Sequence, residues 1–378
     1  MKKWQFWLGA LISVLFLWLA LRGLNLGDFW GAMQKANYIW LAPGIAVYFV
    51  GVWARAWRWH YLLGPIKKIP TKTMFPITTI GYMGNNIYPA RAGEVLRAVV
   101  LKRKEGVSVS ASLATIIVER IFDGVVMLAF VFVNLSELAK LTGASGFVGN
   151  IQQVAIWGSA IFAAALLAFL LAAAFPIQAE RVAVWSFQRF LPERIRRPGA
   201  WFKSVLSFLL DRIFEDGAKM ILKGMEAGRA TEPEDDFVFP RSKATGMTEK
   251  FLSGLKSLRS PFNVLMVFLT SVFIWLLETG KYWLVMHAFD FNVPFFALML
   301  MNGIVNLATT IPSAPGYIGT FDAPGIAVLT AYGVDQAAAA GYTLVLHVAL
   351  WVPITALGAY YLAREGIKWN DSLRKEAE

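Results

Sequence analysis

Three charged residues, Glu119, Arg120 and Asp123, stand in the middle of an otherwise apolar stretch of the chain, residues 109–135. If this stretch is a membrane helix, each charge costs about 2.5–3.5 kcal/mol near its centre, so the side chains should be paired or face water. Glu119 and Asp123 are four residues apart and therefore share one face of a helix. The pattern indicates a polar site inside a membrane.

A second set of polar residues precedes this stretch: Asn85, Asn86, Arg91, Gly93, Glu94 and Arg97. We predict that Arg91 is the partner of Glu119 and Asp123, and its planar fork is suited to a phosphate or a carboxylate. Gly93 opens a predicted helix, whose free N–H groups add a positive end at the same depth. These residues predict a site for an anion. The alternative is that the same charges form a structural ion-pair network that binds no ligand.

A third set lies in the second half of the chain: Pro315, Gly316, Gly319 and Asp322. It offers backbone N–H groups in a glycine-rich turn and a lone carboxylate. Asn302 and Asn306, four residues apart, could line the same cavity. Glu278 and Lys281 are instead expected to form a pair that reaches from the outer end of a membrane span to its surface.

The residue counts weigh against metal and thiol chemistry. The chain has no cysteine, and its three histidines, His60, His287 and His347, are far apart with no carboxylate at metal-ligand spacing. We expect these histidines to have packing roles, and we expect neither a metal nor a cofactor. The chain also lacks the Gly-x-x-x-x-Gly-Lys-Ser/Thr motif, which argues against direct use of ATP.

The composition is that of a membrane protein. Hydrophobic residues make up 57% of the 378 residues and charged residues 16%, whereas a soluble domain is about 45–50% apolar. The apolar residues fall in runs of about 20, the length of a membrane-spanning helix. The net charge of +11 is then explained by cytoplasmic loops that face anionic lipid headgroups, so no nucleic-acid partner is expected.

The order of these runs predicts an all-α polytopic membrane protein with about six full transmembrane helices. The predicted spans include 4–21, about 39–57 and 153–175, and Arg55 and Arg58 belong to a cationic cluster on the cytoplasmic side of the second span. A first membrane half, 1–175, and a second, 262–378, are joined by a cytoplasmic amphipathic and polar linker, 176–261. Glycine and proline breaks predict two opposed re-entrant hairpins, 73–104 from the cytoplasm and 294–332 from outside, so the halves form an inverted repeat. The distribution of lysine and arginine predicts that both termini lie in the cytoplasm. The protein is predicted to lie in the inner or plasma membrane of the cell.

Three motifs resemble those of the lysylphosphatidylglycerol synthase transmembrane-region family: Asn86-x-x-Pro89-x-Arg91-x-Gly93-Glu94-x-x-Arg97, Glu119-Arg120-x-x-Asp123, and Pro312-x-x-Pro315-Gly316-x-x-Gly319-x-x-Asp322. This family includes the flippase domain of the bacterial multiple peptide resistance factor and free-standing membrane proteins. The resemblance covers roughly residues 4–364. The chain departs from it at Tyr317, where the family usually has glycine, and at Asp322, where glutamate is common.

The resemblance implies a lipid flippase-like transporter that moves a lipid with a phosphate-containing headgroup between membrane leaflets through a central polar cavity. Its partners would be membrane lipids with an anionic or zwitterionic headgroup, for example a glycolipid or a polyprenyl phosphate. The chain lacks the family's soluble synthetase domain, so we expect no enzyme activity. Two alternatives remain: a secondary transporter of a small water-soluble ion or metabolite, and a membrane enzyme that uses Glu119 or Asp123 as an acid or base.

Overall fold

The computed structural model describes residues 3–88, 92–134, 260–309 and 313–365. Nearly all of them belong to one compact unit, which comprises residues 2–162 and 249–361. The other unit comprises Met1, 163–248 and 362–378, and only its residues 362–365 are described. Arg91, the predicted span at 153–175 and the linker, except for its last two residues, lie outside the described residues.

Every regular element in the described ranges is a helix. The first six α-helices are α1 (Lys3–Leu21), α2 (Leu26–Lys35), α3 (Leu41–Leu63), α4 (Thr71–Ile87), α5 (Gly93–Glu105) and α6 (Val109–Val133). The other four are α7 (Pro261–Met286), α8 (Phe295–Ala308), α9 (Asp322–Ala331) and α10 (Gln336–Arg364). Short 3-10 turns lie at Tyr38–Trp40 and Pro315–Tyr317.

Several described helices are long and apolar enough to cross a membrane. Three qualify, at Tyr38–Leu63, Pro261–Met286 and Gln336–Arg364, and α1 with α2 would make a fourth, strongly bent span. α6 has 25 residues, about 37 Å at 1.5 Å per residue, but it carries the three central charges. Large apolar side chains are exposed along α1, α7 and α10, as expected of surfaces that contact lipid. The fold is therefore that of a polytopic all-α membrane protein.

The beginning of the chain differs from the sequence prediction, which gave no helix between the first two spans. α2 begins there because the Asn25 side chain accepts hydrogen bonds from the backbone N–H groups of Gly27 and Asp28, at 2.9 and 3.4 Å, and so caps the helix. An angle of 87° separates the two helices. The first span therefore continues into a short helix that runs in a different direction.

The second span is also longer than predicted. We expected it to end at Trp57, with Arg55 and Arg58 in a cytoplasmic cluster, but α3 continues to Leu63. Both arginines are buried, at 9% and 0% exposure. Carboxylates on other helices neutralise them, so their charges do not end the span, and the prediction was wrong for these two residues.

Both segments with glycine and proline breaks form a pair of packed helices, α4 with α5 and α8 with α9. Glycine makes the first contact possible: a Cβ at Gly84 would lie 2.7 Å from the Cα of Gly93, and a Cβ at Gly93 would collide with the carbonyl oxygen of Gly81. The helices of this hairpin therefore touch through their backbones. Beside the hairpins, α3 and α7 share the most extensive interhelical contact among the described elements, and together they position the site.

Candidate functional site

A cavity of about 1080 Å³, including the space at its mouth, lies among α3–α8, α10 and the turn that precedes α9. Eight of the predicted site residues line it: Asn85, Asn86, Gly93, Glu94, Arg97, Arg120, Asp123 and Gly316. Glu119 is buried behind it, at 1% exposure. The structure therefore brings residues from both halves of the sequence to one polar cavity.

Glu119 is held by an arginine on the neighbouring hairpin. Nη2 of Arg97 donates a hydrogen bond to Oε2 of Glu119 over 2.5 Å, and the Arg97 guanidinium lies 4.6 Å from the ring centroid of Trp59. Nη2 of Arg58 is 4.0 Å from the same carboxylate. This pairing links α5 to α6 and keeps the Glu119 charge neutralised inside the helix bundle.

Asp123 is held by Arg58, which is fully buried. Nη1 and Nη2 of this arginine face Oδ1 and Oδ2 of Asp123 at 2.5 and 3.3 Å, a two-point contact that fixes orientation as well as charge. Two groups on α7 complete the set: Trp275 Nε1 donates to Asp123 at 3.1 Å, and the Ser271 hydroxyl accepts from Arg58 at 2.8 Å. This part of the site therefore joins α3, α6 and α7.

Arg120 is the most accessible cation of this group, with 38% of its side chain exposed. Its Nε lies 3.5 Å from Glu94, and its Nη1 lies 3.6 Å from Asp123. The prediction that the carboxylates are paired is therefore confirmed, with Arg58 and Arg97 as partners. The predicted partner Arg91 lies outside the described residues, and its role stays a prediction.

A second group of charges, which the sequence did not place at the cavity, lies on α3 and α7. Nη1 of Arg55 is 2.8 Å from Oε1 of Glu278, Lys281 forms an ion pair with the same carboxylate, and Nζ of Lys281 is 4.4 Å from the Tyr48 ring centroid. Lys281 is 3% exposed and lines the cavity, so the expectation of a pair reaching the membrane surface was wrong. A signal in the sequence was Arg55 itself, one of two arginines in the apolar helix α3.

The predicted turn before α9 is held together by its own carboxylate. Oδ2 of Asp322 accepts from the Gly319 N–H at 2.9 Å, and Oδ1 lies 2.8 Å from Nδ1 of His347 on α10. Pro315 begins the turn, and Gly316 and Tyr317 have positive φ angles of 76° and 60°. The sequence gave His347 only a packing role, because nothing in the spacing connects it to a carboxylate 25 positions earlier.

The two predicted asparagines have different positions. Asn306 lines the cavity, and its amide donates to Oδ1 of Asn302 at 2.8 Å. Asn302 is fully buried and contacts Thr279. Asn302 therefore supports the cavity wall and Asn306 forms part of it.

Some buried polar atoms of the cavity wall have no hydrogen-bond partner among the described residues. They are Thr78 Oγ1, Asn85 Oδ1 and Arg97 Nε. A buried polar atom without a partner costs about 1–3 kcal/mol, so each of these atoms is ready to bind water or a ligand. Within the described ranges, no three His, Cys, Asp or Glu side chains are arranged to hold a metal ion.

The charges of the described cavity wall do not cancel. Four cationic residues, Arg55, Arg97, Arg120 and Lys281, face it together with three carboxylates, Glu94, Asp123 and Glu278. The buried pair of Arg58 and Glu119 adds one charge of each sign. Among these residues, the pair of His347 and Asp322 being left aside, one positive charge is therefore in excess, and it favours an anion.

Apolar helices around a buried, charged and open cavity define a membrane protein with an internal polar site. Within that class, the chain belongs to the family described as the lysylphosphatidylglycerol synthase TM region, whose profile matches residues 6–358. The resemblance found in the three motifs is thereby confirmed.

The chain is similar to three curated proteins of archaea over most of its length. A UPF0104 membrane protein of Methanothermobacter thermautotrophicus is 23% identical over 338 residues, which cover 87% of this chain and 84% of that protein. A UPF0104 membrane protein of Methanocaldococcus jannaschii is 20% identical, with 75% of this chain and 95% of that protein covered. The glycosyltransferase AglD of Haloferax volcanii is 23% identical over 93% of this chain but only 52% of its own length. No solved structure matches the chain.

Proposed function

We propose that the protein is a lipid flippase-like transporter, not an enzyme, which moves a lipid with a phosphate-containing headgroup between leaflets. The observation that carries the proposal is the group of Arg55, Lys281 and Glu278, where two cations share one carboxylate in a cavity enclosed by helices with apolar outer faces. A headgroup could enter such a cavity while its acyl or prenyl chains stay in the bilayer. Membership of the family described as the lysylphosphatidylglycerol synthase TM region supports a function connected with lipids.

The proposed topology has six full spans and two opposed re-entrant hairpins, α4–α5 and α8–α9. Both termini lie in the cytoplasm, and the protein lies in the inner or plasma membrane of the cell. Two packed helix pairs at the corresponding places support it. The hairpins also approach each other: a Cβ at Gly316 would lie 3.6 Å from the backbone oxygen of Asn86. Two opposed hairpins that meet in this way are typical of transporters built from inverted repeats.

In this proposal the cations of the cavity hold the phosphate, and the carboxylates orient the cations. Arg120 is partly exposed and can turn towards a ligand, whereas Arg97 is fixed by Glu119. Lys281 and Arg55 share one carboxylate, so their group retains one positive charge for the ligand. Arg91, just before Gly93, would add a further fork for the phosphate.

The test is leaflet exchange in liposomes that contain the purified protein. Fluorescent phospholipids, glycolipids and polyprenyl phosphates would be compared, with a membrane-impermeant quencher to read the outer leaflet. Lys281→Gln removes the excess charge and should slow exchange of an anionic lipid by about tenfold or more, as expected for the loss of a charge-assisted contact of 1.5–3 kcal/mol. Lys35→Gln is the matched control, since Lys35 is an exposed cation outside the cavity.

Uptake of radiolabelled inorganic phosphate by the same liposomes distinguishes the flippase from the alternative function, a secondary transporter of a small water-soluble ion or metabolite. Exchange of a lipid that depends on Lys281 supports the flippase. Uptake of the free anion without any lipid exchange would instead establish a secondary transporter of small solutes. Exchange that is equally fast in Lys281→Gln and Lys35→Gln would contradict the role of the cavity.

A further inference from the structure

We propose that His347 and Asp322 form a proton-binding site, and that the bound proton holds the 313–321 loop against α10 and determines the net charge of the cavity. The link to transport rests on the proposed function, whereas the proton site itself does not. The site follows from a juxtaposition of acceptors around one imidazole ring.

Both nitrogens of His347 face an oxygen acceptor. Nδ1 is 2.8 Å from Oδ1 of Asp322, and Nε2 is 2.7 Å from the backbone carbonyl oxygen of Gly316. A carbonyl oxygen can only accept a hydrogen bond, and so can an ionised carboxylate. A neutral imidazole carries one N–H, so it can satisfy only one of these two contacts.

The arrangement therefore requires one proton more than a neutral imidazole and an ionised carboxylate possess together. The extra proton can lie on the ring, which then donates from both nitrogens, or on Asp322, which then donates to Nδ1. Oδ2 of Asp322 accepts from the Gly319 N–H, and this contact favours the ionised carboxylate and the doubly protonated ring. In either form the pair binds one proton.

Loss of this proton would release the loop at one defined point. One of the two contacts would then bring a ring lone pair against an oxygen lone pair, and the contact to Gly316 is the one without a charge to retain it. Gly316 and Tyr317 have φ angles in the left-handed region, which is unfavourable for tyrosine. The hydrogen bond from His347 therefore stabilises an unfavourable backbone conformation of the loop. Without this hydrogen bond, the loop should change its conformation.

The same proton changes the charge balance of the cavity. His347 lines the cavity, and with the proton the pair of His347 and Asp322 is neutral, so the excess of one positive charge remains. Without the proton the pair is negative, and the described charges of the site cancel. Proton binding and binding of an anionic headgroup should therefore favour each other.

Other ionisable groups share the cavity wall with His347 and set the field that it experiences. On the neighbouring elements they are Tyr317 in the loop, Tyr82 on α4, Tyr48 and Arg55 on α3, and Glu278, Lys281 and Tyr282 on α7. Only Asp322 makes a direct contact with the ring among the described charged residues. The variants that test the site therefore alter His347 or Asp322 and leave the other groups in place.

The proton can be observed directly by nitrogen NMR of the protein labelled with 15N-histidine in lipid nanodiscs. The chain has only three histidines, and the difference from a His347→Gln variant assigns the signal of His347. In the buffer of the transport assay, we expect both ring nitrogens of His347 to be protonated, as the two oxygen acceptors require. A carboxyl 13C signal of Asp322 that shows the protonated form would place the proton on the other partner and also support the site. A singly protonated ring next to an ionised Asp322 would overturn the proposal.

The effect on the loop can be measured by hydrogen exchange of the amides in residues 313–321 at constant pH. His347→Gln should raise their exchange rates by about two- to tenfold, as expected for a lost hydrogen bond of 0.5–1.5 kcal/mol, and Asp322→Asn should act in the same direction. His287→Gln is the matched control, because that exposed ring bonds to the Trp283 carbonyl and has the rings of Trp40 and Trp283 as neighbours. Equal exchange in all three variants would contradict the role of the histidine.

The two proposals can fail separately. A proton on the pair without exchange of any tested lipid would contradict the flippase and leave the proton site intact. Exchange of an anionic lipid that does not change when the pH or the His347 side chain is changed would contradict the coupling alone.

Discussion

The ion pair of Arg58 and Asp123 should be the most expensive polar contact of the site to break. Arg58 is 0% exposed and Asp123 5%, and their two-point contact is supplemented by Ser271, Trp275, Arg120 and the more distant Glu119. Arg58→Met keeps an unbranched apolar stem but leaves the carboxylate without its principal partner. Because an uncompensated buried charge remains, the free energy of unfolding should fall by about 3–5 kcal/mol.

The double variant Arg58→Met, Asp123→Leu removes both charges and should recover most of this loss. Replacement of a whole buried pair by apolar residues of similar size is often neutral or stabilising. The assay is reversible unfolding of the purified protein in detergent or bicelles, with the two single variants and the double variant forming a cycle. The coupling energy between the two positions should be close to the cost of the single variants.

The control for this cycle is the exposed ion pair between Lys67 and Glu105, 2.8 Å apart with 46% of the lysine side chain exposed. Lys67→Met should cost about 0–1 kcal/mol, because solvent screens an exposed pair. If Arg58→Met cost no more than Lys67→Met, the reasoning that α3, α6 and α7 are joined by a desolvated charge pair would be refuted.

Three further predictions concern the hairpins and the topology. Gly93→Ala should destabilise the protein by about 1–3 kcal/mol in unfolding measurements, because the added methyl group meets backbone atoms of α4. Gly316→Val should slow leaflet exchange while headgroup binding survives. The added Cβ would lie 2.7 Å from the Trp351 ring nitrogen, and the φ of +76° at this position suits glycine. A parallel loss of exchange and binding would indicate simple destabilisation. In intact cells, a cysteine at Leu26 should react with an impermeant maleimide and one at Lys67 should not, and the opposite pattern would reverse the proposed orientation.

The existence of a polar site could be predicted from the sequence, but its ion pairs could not. Charges in the middle of α6 must be neutralised wherever the helix lies in a membrane, so the prediction of paired carboxylates needed only local information. The partner of Asp123 is 65 positions away in the sequence, and its choice depends on how α3 packs against α6. Arg58 was therefore assigned to a loop, since an arginine at the end of an apolar run looks the same whether it is paired or solvated.

The hairpins were predicted for a similar reason, because glycine and proline breaks are local signals. The missed helix α2 had a local signal too, the asparagine at position 25 that caps it, but its ten residues are too few and too polar to stand out as a membrane span. His347, the histidine of the proposed proton site, had no local signal in the sequence. The contact of His347 with the 313–321 loop exists only because α10 passes beside the turn before α9.

The distribution of charge between the two groups of the cavity indicates where a phosphate would bind. In the group around α6, the three arginines Arg58, Arg97 and Arg120 are balanced by three carboxylates, so a phosphate there must compete with existing ion pairs. In the group of Arg55, Lys281 and Glu278, two cations share one carboxylate, and a phosphate can be added without displacing a partner. The balanced group around α6 is then best suited to a structural role, which agrees with the interpretation of these charges as a structural ion-pair network. The unbalanced group on α3 and α7 is the stronger candidate for the site that binds the headgroup.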